Sequence, residues 1–441
     1  MATSHIRSIR VGLEAIGFGS IYGSTGLPTT AGITFTSLEC ERASLETFGD
    51  PAMNERAETR DSVYELPPEP DTVCLNGRIQ RRTGSITLTC PLRTLGDATT
   101  IASYNALPLG QLFNSGMWIE QAGGALPATA DSATVGGVNR LVAGATGNYT
   151  VGSLIGLAYG GRLEVSSVTG KLTNTIQISP ALSTGAGMGA RRVRMFRTYY
   201  THPLLDMNDA NAPNSVAMLI DGTSWRTRAW GCRMESAKFY LRGKQWMVDI
   251  TMQAAYIDDA HGQADPAEPT RTDAVPAHFL GTYAVLSGIH TQGTTAPFEL
   301  ARNAVNVDEI EITYTNTLTP AGFSDNILGM SDLEITDVKL EAKLVLSNVN
   351  NTFTSDFLQQ NHRTLMVGGA GCLSAAGTIT PGNGIAIMIG GAFTKADPKK
   401  RNLANDIIRQ ELTLNAGRYV GDETASGTEA SCAIFKFGMA E

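Results

Sequence analysis

No apolar run in this chain approaches the roughly 18 residues that a membrane-crossing helix needs. No secretory leader is legible either: Arg7 and Arg10 lie near the start, but Glu14 interrupts the apolar stretch that follows. A basic excess is missing too, since the net charge is −8 and the pI about 5.4. Proteins that grip nucleic acid carry a basic patch, because phosphate contacts supply most of the affinity. The balance argues against tight DNA or RNA binding and leaves room for a wall that repels phosphate.

Cysteine is scarce. The six residues Cys40, Cys74, Cys90, Cys232, Cys372 and Cys432 form no C-x-x-C pair. Cys90, Cys232 and Cys432 sit in apolar stretches and read as small buried hydrophobes. Cys40 and Cys74 lie in polar segments, where an inter-subunit disulfide is the alternative.

Chemistry-bearing motifs are lacking as well. SSVTGKLT has no Gly five residues before Gly170, and Leu172 stands where a phosphate loop needs Ser or Thr. Gly185, Gly187 and Gly189 lack dinucleotide-loop spacing. There is no G-x-S-x-G elbow and no H-E-x-x-H helix. Asp258, Asp259, His261 and Asp265 are ligand-type residues, but they lie in a linker-like stretch without the Gly and Glu of a calcium loop. Trp118, Trp225, Trp230 and Trp246, with Tyr199 and Tyr200, read as core or interface aromatics before a sugar platform. The expectation is a non-enzyme with no catalytic, cofactor-binding or metal residues and no cofactor.

What is present is turn and strand material. The chain has 441 residues, enough for real cores, with 47 glycines and only 17% charged residues. Residues 1–40 are Gly-rich and turn-rich, unsuited to a helix. Residues 41–73 hold nine acidic residues, three arginines and prolines 51, 67, 68 and 70. They read as a solvated loop or an arm reaching a neighbour. In SITLTCPLR, Ile86, Leu88, Cys90 and Leu92 alternate with polar residues, predicting a half-buried strand. LPLGQLFNSGMW suggests a short helix interrupted at Pro108, and RLEVSSVTGKLTNTIQIS a hairpin turning near Gly170. Residues 229–256 predict two long strands joined at Arg242-Gly243-Lys244, with Trp246, Val248, Ile250, Met252 and Ala254 on the packed side.

Residues 257–277 carry Pro266, Pro269 and Pro276 without apolar periodicity and predict a linker. Beyond it, VDEIEITYTNTL and TDVKLEAKLVLSN alternate as strands. TFTSDFLQQNHRTL predicts a helix capped by Thr354 or Ser355, with Phe357, Leu358 and Leu365 on its apolar side. GIAIMIGGAF, IIRQELTLN and CAIFKFG complete the strands. The layout is 1–40 N-terminal segment, 41–73 acidic arm, 74–256 first β domain, 257–277 linker and 278–441 second β domain. The order strand, short helix, buried strands occurs twice, which suggests an internal duplication.

Several motifs resemble those of tail tube (major tail) proteins of long-tailed bacteriophages. They are Gly12, Glu14, Tyr22, Gly23 and Ser24 near the start, the strand from Gly84 to Arg93 after an acidic Pro-rich stretch, and the block from Val307 to Leu318. Together they touch about a quarter of the chain. The resemblance implies mainly β architecture: sandwich or barrel tube units with short flanking helices, either in two tandem copies or as one larger, decorated subunit of an ordinary hexamer. It implies a structural virion protein of the tail, assembled in the host bacterial cytoplasm into trimeric or hexameric rings that stack. Its partners would be copies of itself and other tail proteins (terminator, tape measure, baseplate or sheath). Genome DNA would pass through the lumen without specific binding, and no membrane would be engaged. Alternatives are a baseplate, hub, tail-completion or capsid-associated protein, and from another class a β-rich carbohydrate-binding protein or glycosidase.

Overall fold

A computed structural model describes residues 6–14, 32–49, 82–92, 108–120, 131–137, 140–142, 149–159, 162–173, 175–182, 191–201, 214–222, 225–259, 282–289, 302–321, 332–347, 349–370, 384–403, 407–417 and 433–440. The protein is mainly β, with large antiparallel sheets and two short helices among the described residues.

The first half opens with β1 (Ile6–Leu13), β2 (Thr36–Leu38), β3 (Arg42–Gly49), β4 (Arg82–Pro91) and α1 (Pro108–Asn114). It closes with β12 (Val216–Gly222), β13 (Arg226–Arg242), β14 (Gln245–Ala254) and β15 (Tyr256–Asp259). The second half runs β16 (Tyr283–Ser287), β17 (Arg302–Val305), β18 (Val307–Ala321), β19 (Asp332–Leu346) and α2 (Thr352–Gln359). It continues with β20 (His362–Ala370), β21 (Gly384–Thr394), β22 (Lys399–Leu403), β23 (Ile407–Ala416) and β24 (Phe435–Ala440).

The pairings of the two halves correspond one to one. In the first, β1 pairs with β2 and β12, β12 with β13, β13 with β15 and β14, β14 with β4, and β4 with β3. In the second, β16 pairs with β17 and β20, β20 with β21, β21 with β24 and β23, β23 with β19, and β19 with β18. Each half is thus one sheet folded over another, with a long strand shared between the two. That strand bends at a glycine in the left-handed region: Gly231 (φ 58°) in β13 and Gly391 (φ 61°) in β21. An L side chain is strained there, so glycine is what the corner requires. The duplication is therefore written in topology and bend position, where residue identity has faded.

The units are not separately packed. β13 pairs with β18, from Ser236 opposite Thr315 to Tyr240 opposite Glu311. A single sheet runs β3-β4-β14-β13-β18-β19-β23-β22 across both halves. One apolar core reaches from Ile9 to Met439 beneath it. The strands on either side of 257–277 thus belong to one folded body.

Between α1 and β12 the first unit carries an insertion that the second lacks. It comprises β5 (Trp118–Glu120), β6 (Asp131–Gly137), β7 (Arg140–Val142), β8 (Leu154–Tyr159), β9 (Arg162–Leu172), β10 (Thr175–Ser179) and β11 (Arg191–Thr201). Strands β6-β7-β10-β9-β8-β11 close on themselves, because β11 pairs with both β8 and β6. This small barrel rests on the second unit. Leu163 and Val165 of β9 pack with Tyr283, Val285, Met366 and Met388. A methyl group at Gly368 would lie 2.5 Å from the Leu163 carbonyl oxygen, so only glycine admits this approach. The barrel explains why GIAIMIGGAF is apolar throughout. Ile385, Ile387 and Ile389 face the main core while Ala386 and Met388 face the barrel.

Several sequence expectations meet the structure directly. Ile86, Leu88, Cys90 and Leu92 are all buried along β4 and just beyond it. The β13–β14 hairpin turns at Gly243 (φ 57°) and Lys244 (φ 70°), two successive left-handed residues as a two-residue hairpin loop demands. Other expectations need correction. Residues 42–49 of the supposed acidic arm form β3, paired along β4, and 50–73 lie outside the described residues. The Gly-rich opening segment contains β1 and β2. Pro108 starts α1 instead of interrupting it, since the first helical position needs no N–H. The β9–β10 turn falls at Thr173, beyond Gly170, which is paired with Gln177. The cap of α2 is Asn351, without a side-chain capping bond. Leu365 lies on β20, and residues 257–259 of the expected linker belong to β15.

Candidate assembly interface

The seam between the two units shows how this chain joins one β unit to another. Its backbone is the antiparallel β13–β18 ladder. Below the ladder, aromatic rings from both units interlock. Phe113 of α1 lies 5.2 Å from Phe437 of β24, edge on. Phe239 of β13 stacks on Phe437, also at 5.2 Å, and Trp118 meets Tyr314 of β18 at 5.0 Å. These geometries suit the aromatic quadrupole. Two side chains of β18 reach the turn after α1: the Tyr314 hydroxyl donates to the Gly116 carbonyl at 3.2 Å, and Asn316 Nδ2 lies 3.3 Å from the same oxygen. Asn316 Nδ2 also donates to Met234 O of β13 at 2.8 Å. Burial pushes the Tyr314 phenol well above its ordinary range.

The insertion ties the seam from the other side. β11 pairs with β24 from Phe196 to Tyr200. The buried Lys436 ammonium donates to Gly152 O at 3.0 Å and Ser167 Oγ at 3.2 Å. Arg162 lies over the Tyr283 ring at 4.1 Å. A buried ammonium is tolerated only when hydrogen-bonded in this way.

The continuous sheet turns one face to the core and the other outward. Along the outward face Lys238, Glu311, Glu341, Lys343 and Asp249 alternate with core residues. Their charges are largely matched. Lys238 Nζ lies 2.9 Å from Glu311, across the seam. Glu341 meets Lys395 at 2.6 Å and Lys343 at 3.4 Å, and Tyr240 donates to Asp249 at 3.1 Å. Hydrogen bonding from Lys395 holds the Glu341 carboxyl below the ordinary range, against partial burial. Such exposed pairs add little stability but leave a polar face of low net charge.

The sheet ends on two edges. Among the described residues β3 pairs only with β4, and β22 only with β23. The β22 segment reads KKRNL, while β3 carries Arg42 and Glu46, and Glu41 just before it pairs with Arg242.

The remaining candidates divide cleanly. Trp118, Trp230, Trp246 and Tyr199 are buried, and Tyr200 nearly so, so these aromatics build the core. Trp225 packs partly buried against it. Cys40, Cys90 and Cys232 are free thiols, and the other three cysteines lie outside the described residues. His261 and Asp265 lie outside them too. Among the described residues no group of His, Cys, Asp and Glu has metal-site geometry. The seam residues Asn316 and Phe437 carried no motif; a polar Asn on the otherwise apolar face of β18, in line with Ile310, Ile312 and Tyr314, was the only available signal.

No protein-family model matches this chain, and no curated protein matches it at a significant level.

Proposed function

We propose that this chain is a structural subunit of a phage tail tube, in which copies join edge to edge into rings and rings stack around a DNA channel. The reading rests on one observation. The chain already contains one edge-to-edge union of two equivalent β units, and among the described residues the resulting sheet ends on two edges, β3 and β22, that pair with no further strand. Repeating the internal seam between chains joins β22 of one copy to β3 of the next. An open edge is an aggregation hazard unless something pairs it. A head-to-tail contact repeated by rotation closes a ring. Three chains would supply six units, the number implied by the resemblance to tube proteins.

The outward face of the continuous sheet then lines the channel. Its matched charges would offer DNA neither a basic surface to stick to nor a strong field to climb. No catalytic step is required of the chain.

The test is assembly. Purified protein is followed by light scattering and negative-stain imaging across concentration, beside the double variant Ser44→Lys, Glu46→Lys on the β3 edge. The expected result is rings for the parent and monomers for the variant, with equal melting temperatures. Single rings that never stack would move the protein to a baseplate or hub. A parent chain that stays monomeric at high concentration, with or without tail-tip proteins, would refute the reading.

A further inference from the structure

We propose that α2 and the residues beside it form a docking surface for a second copy of this chain, whose first unit covers α2 as the second unit covers α1. The inference rests on the ring reading above and adds to it a particular contact away from the sheet edges.

The two helices occupy equivalent places. Each follows the outer hairpin of its unit, β3–β4 or β18–β19. Each packs beside the bent strand, α1 against β13 and α2 against β21. Aligned on their last residues, Asn114 and Gln359, they set Gln111 against Asp356 and Phe113 against Leu358. Gln111 and Asp356 are both buried polar residues, which supports this alignment.

Their surroundings differ sharply. Every residue of α1 from Pro108 to Phe113 is buried, whereas α2 buries only Phe353 and Asp356. Phe113 is covered by Phe437 of the second unit, together with Trp118 and Tyr199 of the insertion. Its counterpart Leu358 is 76% exposed. Leu358 is not alone. Ile408 is 54% exposed and Val349 37%, so three of the four exposed large hydrophobics among the described residues lie at this end of the second unit. The Asn350 N–H donates to Gln410 Oε1 at 2.8 Å, which holds Val349 against β23. Ile408 shares Gln410's side of that strand, next to the open edge β22. An apolar group of this kind beside an unpaired edge marks an interaction surface.

A second copy is the occupant that the internal seam specifies. There, a helix beside the joining strand is capped by residues of the unit that pairs with that strand: Tyr314 and Asn316 on Gly116, Phe437 on Phe113. When β22 joins the β3 edge of the next chain, α2 comes to the same position against that chain's first unit.

The experiment places the photo-cross-linker p-benzoylphenylalanine at position 358 of the full chain and compares Leu358→Glu with Leu358→Met. Three results are expected. The cross-link joins two chains and maps to first-unit residues. Leu358→Glu lowers the assembled fraction at least tenfold at unchanged melting temperature. Leu358→Met assembles like the parent. Parent rings with an undiminished Leu358→Glu ring would overturn this inference alone. A cross-link confined to its own chain or to a different protein would do the same. A parent that forms no rings would overturn the ring reading and this inference together.

Discussion

Removing the Phe437 side chain should weaken both units at once. The ring is fully buried, edge on to Phe113 and stacked on Phe239 at 5.2 Å each, with Trp118 at 6.4 Å. Truncating a buried Phe to Ala costs about 3–5 kcal/mol through lost transfer energy and the cavity left behind. Each well-oriented aromatic pair adds about 0.5–1.5 kcal/mol beyond area. Phe437→Ala therefore belongs near the top of that range, a large part of the roughly 5–15 kcal/mol that holds a domain folded. Urea unfolding read by tryptophan fluorescence and by far-UV circular dichroism checks it. Trp118 sits in the cluster and Trp246 in the shared core, so both probes should move together in one transition at lower urea. Phe437→Leu, which keeps much of the volume, should lose less. A loss under about 1 kcal/mol, or a fluorescence transition that separates from the dichroism, would refute the idea that the units share one core.

Further outcomes follow from particular sites. Gly231→Ala and Gly391→Ala should each cost about 1–2 kcal/mol, because both bends need a left-handed residue; melts of the single variants check this, and a neutral effect at either position would break the proposed equivalence. Burial alone would raise the Asp221 carboxyl, but hydrogen bonds from Arg226, Ser8 and Arg10, with the charge of Arg10, hold it below the ordinary range. A depressed folded-state value gives stability that is present above the unfolded value of about 3.9 and lost as pH falls through the folded one. Asp221→Asn should therefore melt lower than the parent at pH 7, with the gap closing in acid; a gap that widens in acid would contradict this. Burial pushes the Cys40 thiol up to about 11, so native-state alkylation at pH 8 should run roughly a hundredfold slower than in urea. Rapid native labelling of Cys40, read by mass spectrometry, would contradict that burial.

The strands were legible wherever one face is packed and the other wet. β4, β14, β18 and β19 announce themselves by alternation of this kind, and the β13–β14 turn by its glycine. β1 was harder to see: Ile9 and Val11 alternate, but the glycines that follow mask the strand. β3 was lost in an acidic stretch because its outward positions, Arg42, Ser44 and Glu46, read as loop. The closed barrel was not legible, since closure depends on β11 bonding both β8 and β6 at long sequence separation. The double order of strand, helix and strands did surface in the sequence. Its proof did not, because it lies in which strand pairs with which. The candidate interface was hidden for the same reason: an open edge is defined by its missing neighbour, and Leu358 reads as an ordinary core residue until its exposure is seen.

The most direct measurement is a cryo-electron microscopy reconstruction of the assembled protein. The expected result is a ring of three chains with six similar β units, a β22–β3 seam between chains that repeats β13–β18 within them, and the polar sheet face lining the hole. A ring built on any other pair of edges, or a channel lined by the barrel insertions, would contradict it.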